Sequence, residues 1–254
     1  METSISKCPY CGNEYPMIEI PPLFKGARPK RIRSSYCGCD GELRAEREER
    51  IRQLQIDLTK AWKSTSVPEE FWGVKPDFES LRLITDDPDH NWIYYYGQKG
   101  TGKTTDAACV LKAYVRKNQK DGYVSAKFID LPSWLASMRR DWGSLEEDGY
   151  QRAAGVKLLV LDDLGKGKPT DWAMERVFRL INDRYNHKKP TIITSQYGLK
   201  ELGLRCAVNG DIETSEAMVS RIIKRSEPVH KDGPDRRLAS SQDSQSGTQR
   251  GMLY

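Results

Sequence analysis

Gly97-Gln98-Lys99-Gly100-Thr101-Gly102-Lys103-Thr104 fits the spacing G-x-x-x-x-G-K-[ST] without a gap. The chemistry that such a stretch can do is to hold phosphate. Glycines 97, 100 and 102 allow the backbone to turn with its N–H groups pointing inward, a cradle for phosphate oxygens. The positive end of a following helix adds to the attraction. Lys103 would reach the β- and γ-phosphates and Thr104 would place its hydroxyl on Mg²⁺. Lys99, Thr101 and Thr105 complete the candidate nucleotide contacts. In Val156-Lys157-Leu158-Leu159-Val160-Leu161-Asp162-Asp163, five apolar residues run into two carboxylates. That pattern belongs at the C-terminal edge of a central parallel strand. Asp162 would hold Mg²⁺ through water, and Asp163 would orient or deprotonate an attacking water. Gln196 ends a third apolar run, Thr191-Ile192-Ile193-Thr194-Ser195-Gln196. It either senses a γ-phosphate or simply marks a strand exit.

Metal chemistry is the second kind these residue types allow. Cys8, Cys11, Cys37 and Cys39 lie together near the start, and four thiolates make a closed tetrahedral set for structural Zn²⁺. Cys8-Pro9-Tyr10-Cys11-Gly12 is a knuckle-like turn; Cys37-Gly38-Cys39 is tighter than usual. The alternative is four reduced thiols without metal. A disulfide framework is not expected, because no apolar segment follows Met1-Glu2-Thr3-Ser4-Ile5-Ser6-Lys7 to act as an export signal, and a cytoplasmic location is expected. A redox role for the C-x-x-C does not fit, since no βαβ pattern surrounds it. Cys109 and Cys206 are isolated and are not site candidates. Between the paired cysteines, Lys25-Gly26-Ala27-Arg28-Pro29-Lys30-Arg31-Ile32-Arg33 is basic with no acid. It is either a phosphate-backbone contact for DNA or a solvated loop.

The elements that must position these groups can be read from periodicity. Trp92-Ile93-Tyr94-Tyr95-Tyr96 is a short buried strand before the glycine loop, and Ala107, Ala108, Val110, Leu111, Ala113, Tyr114 and Val115 give the following helix a buried side. Residues 123–129 read as a strand, 131–140 as a helix and 143–155 as loop or weak helix. Further helices are expected over 171–187 and 215–225. Asp40 to about Trp62 reads as an amphipathic helix with Leu43, Ile51, Leu54, Leu58 and Trp62 on one side, a stripe that could pack on the zinc lobe, on the core domain or on a partner protein, packing within the chain being the expectation. Ser64-Thr65-Ser66-Val67-Pro68 ends it and marks a linker; Val67-Pro68-Glu69-Glu70-Phe71-Trp72 and Asp77-Phe78 form an entry segment. From 238 onward Ser, Gln and Gly dominate, and disorder is expected. The expected organisation is therefore a zinc-and-helix lobe at 1–64, an ATPase-type domain at 65–237 and a tail at 238–254. With 37% apolar and 30% charged residues in 254, the chain reads as a polar-flanked core, and no stretch is long and apolar enough for a membrane span. A net charge of +5 permits a nucleic-acid partner without demanding one.

In this order the motifs resemble those of the AAA+ ATPases of the DnaC/IstB type, most closely bacterial and phage replicative-helicase loaders. The likeness is carried by Cys-x-x-Cys and Cys-x-Cys leading into a charged helix, and by Val67-Pro68-Glu69-Glu70-Phe71, similar to the family's "IPERF" segment. Leu159-Val160-Leu161-Asp162-Asp163-Leu164-Gly165, residues 191–196 and Gly233-Pro234-Asp235-Arg236-Arg237 extend it. The resemblance implies a three-layer α/β P-loop NTPase, with an ASCE-type parallel sheet behind the small zinc-binding lobe. It implies ATP and Mg²⁺ at Lys103, Thr104 and Asp162, and places Asp163 as the catalytic carboxylate and Gln196 where the family usually has a sensor Asn. Arg221 resembles the arginine finger that reaches a neighbouring subunit's nucleotide, and Arg237 a second sensor arginine, with Arg236 the competing choice; ordinary surface charge is the alternative for both. The implied work is ATP-controlled loading of a DnaB-type replicative helicase onto single-stranded DNA, by a homo-oligomer that assembles on ATP and DNA. Rivals are an IstB-like transposition helper and a nucleotide-dependent adaptor that does not hydrolyse. Asp163 stands where broader AAA+ proteins have Glu, which implies slow hydrolysis, and little chain remains after Arg237 for a helical lid.

Overall fold

The computed structural model describes residues 5–21, 24, 29–33, 37–140 and 144–236. Residues 25–28 of the basic stretch, the side chains at 30, 31 and 33, Arg237 and the tail from 238 lie outside the described residues. The chain forms two compact units, Met1–Ile56 and Asp57–Tyr254.

In the first unit, β1 (Ile5–Lys7), β2 (Glu14–Ile20) and β3 (Lys30–Arg33) form an antiparallel meander in the order β1-β2-β3. Helix α1 (Asp40–Ser64) follows and runs on into the second unit. The apolar stripe expected to be buried within the chain is mostly not: Leu43, Ile51 and Leu54 are about half exposed, while Ala61 and Trp62 at the far end are buried. Charged residues surround the stripe over its first four turns, and burial begins only where the helix meets the second unit's apolar core. Arg52 pairs with Glu49, one turn earlier on the helix, at 2.7 Å.

After α1 the second unit continues with a 3₁₀ turn at Glu69–Phe71 and α2 (Phe78–Thr85), where the sequence indicated only an entry segment. Asp77 makes that helix local, accepting from the N–H groups of Glu79 and Ser80. There follow β4 (Trp92–Tyr96), α3 (Lys103–Asn118), β5 (Ala126–Asp130), α4 (Leu131–Arg140), α5 (Ser144–Gly155), β6 (Leu158–Leu164), α6 (Asp171–Asn186), β7 (Thr191–Ser195), α7 (Leu199–Cys206), α8 (Ile212–Arg225) and β8 (Ser226–His230). The segment read as loop or weak helix is thus the full helix α5. Strand β8 was not legible at all: Ser226-Glu227-Pro228-Val229-His230 carries little apolar signal because it is an edge strand, where Pro is tolerated.

The five strands are parallel in the order β5-β6-β7-β4-β8. Both faces of the sheet are buried, which is why its strands read as continuous apolar runs. Ile93, Tyr95, Phe128, Val160 and Ile192 face one core with α2 and α3; Trp92, Tyr94, Ile129, Leu159, Leu161 and Ile193 face the other with α4 to α8. The result is the expected three-layer α/β P-loop architecture. Arg184 on α6 is 1% exposed and ties the lower edge together. It donates to Thr191 Oγ1 (2.8 Å) and to the carbonyls of Val156 (3.0 Å), Lys157 (3.0 Å) and Pro190 (2.6 Å).

Candidate functional site

The carboxyl ends of β4, β5, β6 and β7 meet the start of α3 around one cavity of about 650 Å³. Its walls include Lys99, Gly100, Gly102, Lys103, Thr104 and Thr105 from the glycine loop and α3, Asp130, Asp162 and Asp163 from strand ends, and Lys166, Gln196 and Arg236. Ligands of open α/β sheets bind at this edge because the loops diverge there. Gly102, at φ +91°, turns the chain into α3 with no side-chain cap, so the helix N-terminus stays open to an anion. Thr101 is buried and donates to the Gln98 carbonyl at 3.0 Å, closing the loop instead of facing the cavity. Lys103, only 6% exposed, donates to the carbonyls of Gly97 (2.9 Å) and Gln98 (2.6 Å). An ammonium parked on its own loop is ready to exchange carbonyls for phosphate oxygens.

Asp162 Oδ1 accepts from Thr104 Oγ1 at 2.9 Å and from Thr194 Oγ1 at 2.5 Å. Burial, followed by the neighbouring Asp163 and Asp130 charges, pushes its carboxyl up to about 6, against the pull of the two hydroxyls. The metal-binding pair read from the sequence, Thr104 and Asp162, is therefore in direct contact. Asp163 lies where the β6–β7 register shifts, between Leu161 and Leu164, and its φ is +61°. Its N–H donates to Thr194 Oγ1 at 3.0 Å, and its carboxylate pairs with Lys166 at 2.5 Å. Asp130, Asp162 and Asp163 bring carboxylate oxygens within 4.8 Å of one another.

Three of these residues escaped the sequence reading. Asp130 ends β5 beside Asp162, and the rule that chemistry sits at strand ends would have found it. Thr194 and Lys166 carried no such signal, because their roles depend on pairing between β6 and β7 and on the turn after β6. Pro68, Glu70 and Phe71 of the entry segment also line the cavity, with Phe128 stacked on Phe71 at 6.4 Å between ring centroids. This apolar rim suits the base of a nucleotide.

Of the two arginines named as alternatives after β8, Arg236 is the one described. Its N–H donates to the Gly100 carbonyl at 3.0 Å, and its guanidinium lies so close to Gly102 that a Cβ there would sit 2.7 Å from Nη1. The Asp235 carboxylate lies over Gly100 in the same way. Lys231 fastens this segment through Asp106 at 2.5 Å and through the Tyr96 carbonyl at 2.7 Å. Arg221 is elsewhere, on α8, donating to Asn182 Oδ1 (2.9 Å) and the Ala217 carbonyl (2.8 Å), with its guanidinium over the Phe178 ring. It does not line this chain's own cavity.

In the first unit the sulfurs of Cys8, Cys11, Cys37 and Cys39 all lie within 4.8 Å of one another. Cys8 and Cys39 are 3.8 Å apart and Cys11 and Cys37 3.3 Å, close to the roughly 3.8 Å edge of a tetrahedral tetrathiolate zinc site. The tight Cys-x-Cys half is accommodated because Glu42 Oε2 accepts from the N–H groups of Cys37 (2.6 Å) and Gly38 (3.0 Å). The Tyr15 hydroxyl and then Cys11 bring the Cys37 thiol down to about 7. The donor set fits a metal ion.

The sequence matches the family described as IstB-like ATP binding protein over residues 77–244. It is 26% identical over 206 residues to the phage-like element PBSX protein XkdC of Bacillus subtilis (strain 168), covering 75% of this chain and 71% of that protein. Among solved structures, DnaI aligns with a TM-score of 0.55 at 19% identity, over 67% of this chain and 94% of that one. A protein from Streptococcus pyogenes serotype M3, provisionally described as a primosome component, aligns with a TM-score of 0.50 at 22% identity, over 68% and 93% of the two chains. The cavity at the glycine loop and the sequence match agree: the chain belongs to the IstB-like ATP-binding proteins.

Proposed function

We propose that this protein is an ATP-dependent helicase loader of DNA replication, which binds a DnaB-type replicative helicase and single-stranded DNA and uses ATP binding and hydrolysis as its switch. The observation that carries the reading is the pairing of a complete phosphate-loop cavity with a separate four-cysteine unit, the combination on which the sequence resembles helicase loaders. The fold shared with a protein described as a primosome component supports it. Zn²⁺ at Cys8, Cys11, Cys37 and Cys39 would give the small first unit the cross-links that its few apolar residues do not supply. A cytoplasmic location is part of the same reading.

At the cavity, Lys103 leaves the Gly97 and Gln98 carbonyls for the β- and γ-phosphates, and the open start of α3 takes the remaining oxygens. Thr104 and Asp162 would hold Mg²⁺, whose charge would offset that of the triphosphate. Asp163 orients or deprotonates the attacking water, and Gln196 and Arg236 report on the γ-phosphate. Arg221, held within the chain by Asn182, is the residue that resembles an arginine finger; in an assembly it would reach a neighbouring subunit's nucleotide, and turnover would then depend on assembly.

The test is co-elution with the host's hexameric replicative helicase, with and without ATP, alongside a Cys8→Ser/Cys11→Ser variant. A complex lost in that variant is expected and assigns the contact to the four-cysteine unit. No complex under any nucleotide condition would overturn the loader reading in favour of an IstB-like transposition helper, which the family match also supports. Turnover abolished by Asp162→Ala, and reduced at least tenfold by Arg221→Ala only in the assembled state, would exclude an adaptor that does not hydrolyse ATP.

A further inference from the structure

We propose that Lys166 is a positioning residue for Asp163: its ammonium fixes the direction of the carboxylate that the hydrolysis reading, on which this inference rests, places at the attacking water. Asp163 has an unusual backbone for a strand residue, with φ +61° at a break in register, so the alternation of the strand does not aim its side chain. What aims it is the turn that follows. The Lys166 N–H donates to the Asp163 carbonyl at 3.1 Å, and Gly165, at φ +84°, lets the chain double back. Lys166 Nζ then meets Asp163 Oδ2 at 2.5 Å, and both residues line the cavity.

This turn is itself held from α7. Arg205 donates to the carbonyls of Gly165 (2.8 Å) and Gly167 (3.0 Å), with its guanidinium stacked 4.7 Å from the Tyr197 ring centroid. The Lys166 side chain is 52% exposed and that of Asp163 19%, so the pair contributes little to stability. Its effect is geometric. A carboxylate displaced by about an ångström from the attacking water loses on the order of a hundredfold in rate.

The experiment compares wild type, Lys166→Met, Lys166→Arg and Arg205→Ala as full chains, by steady-state ATP turnover with helicase and single-stranded DNA and by crystal structures of the nucleotide-free proteins. Lys166→Met is expected to lower kcat at least tenfold with KM for ATP within about twofold, since Lys103 and Thr104 are untouched. Lys166→Arg should recover most of kcat, Arg205→Ala should lose a smaller share, and the Asp163 carboxylate should turn away in the Lys166→Met structure. An unmoved Asp163 carboxylate overturns the proposal. So does a raised kcat, which would make Lys166 a restraint, or a raised KM at constant kcat, which would make it a phosphate contact. Absent turnover in wild type would overturn the hydrolysis reading instead, and the position of Asp163 in the two structures still decides the role of Lys166.

Discussion

Asp162 is 7% exposed and accepts hydrogen bonds from Thr104 and Thr194, yet its carboxyl is raised to about 6. Facing it are the Asp130 and Asp163 carboxylates, with Lys166 one step away on Asp163. Because the folded protein holds this proton more tightly than the unfolded chain does, stability is gained below the ordinary carboxylate range and lost as pH rises through about 6. Replacing Asp162 by Asn removes that cost. In the absence of nucleotide and Mg²⁺, Asp162→Asn should stabilise the protein by roughly 1–3 kcal/mol at pH 8 and by much less at pH 4, as read from thermal melts. An equal gain at both pH values would show that the charge of Asp162 is not what the fold resists. The same variant should lose Mg²⁺-dependent ATP binding, so a residue kept at the expense of stability serves the ligand.

Elements are locked to one another by a few polar ties, and Arg184 is the largest of them. From α6 it serves carbonyls at the end of α5, the start of β6 and the start of β7, and burial brings its guanidinium down to about 9, still charged at neutral pH. Removing it strands several buried acceptors at once. Arg184→Met should cost about 3 kcal/mol or more and lower Tm by roughly 10 °C. A melt within about 2 °C of wild type would mean that water replaces the guanidinium. Helix α1 is different: its first turns carry exposed Leu43, Ile51 and Leu54, so polar substitutions there should leave the melting of the second unit unchanged.

At the scale of the molecule, the two units rest on different physics. The second has two apolar cores, one on each face of its sheet, while the first has a three-stranded meander, a helix and four clustered thiols. A chelator strong enough to strip zinc should erase hydrogen-exchange protection in residues 5–56 and leave ATP affinity within about twofold, as followed by mass spectrometry and titration. Protection that survives chelation would show that the first unit holds without metal.

What the sequence by itself determined is what local rules write down. The glycine loop, the strand entering it, the apolar run ending at Asp162 and the cysteine pairs are contiguous, and each is specified by spacing and burial pattern. Tertiary structure decided the rest. Asp130, Thr194 and Lys166 join the site because β5 and β7 flank β6 and a turn folds back, pairings that no local window encodes. Strand β8 and the buried role of Arg184 belong to the same class: an edge strand and a buried cation are defined by what lies beside them in space.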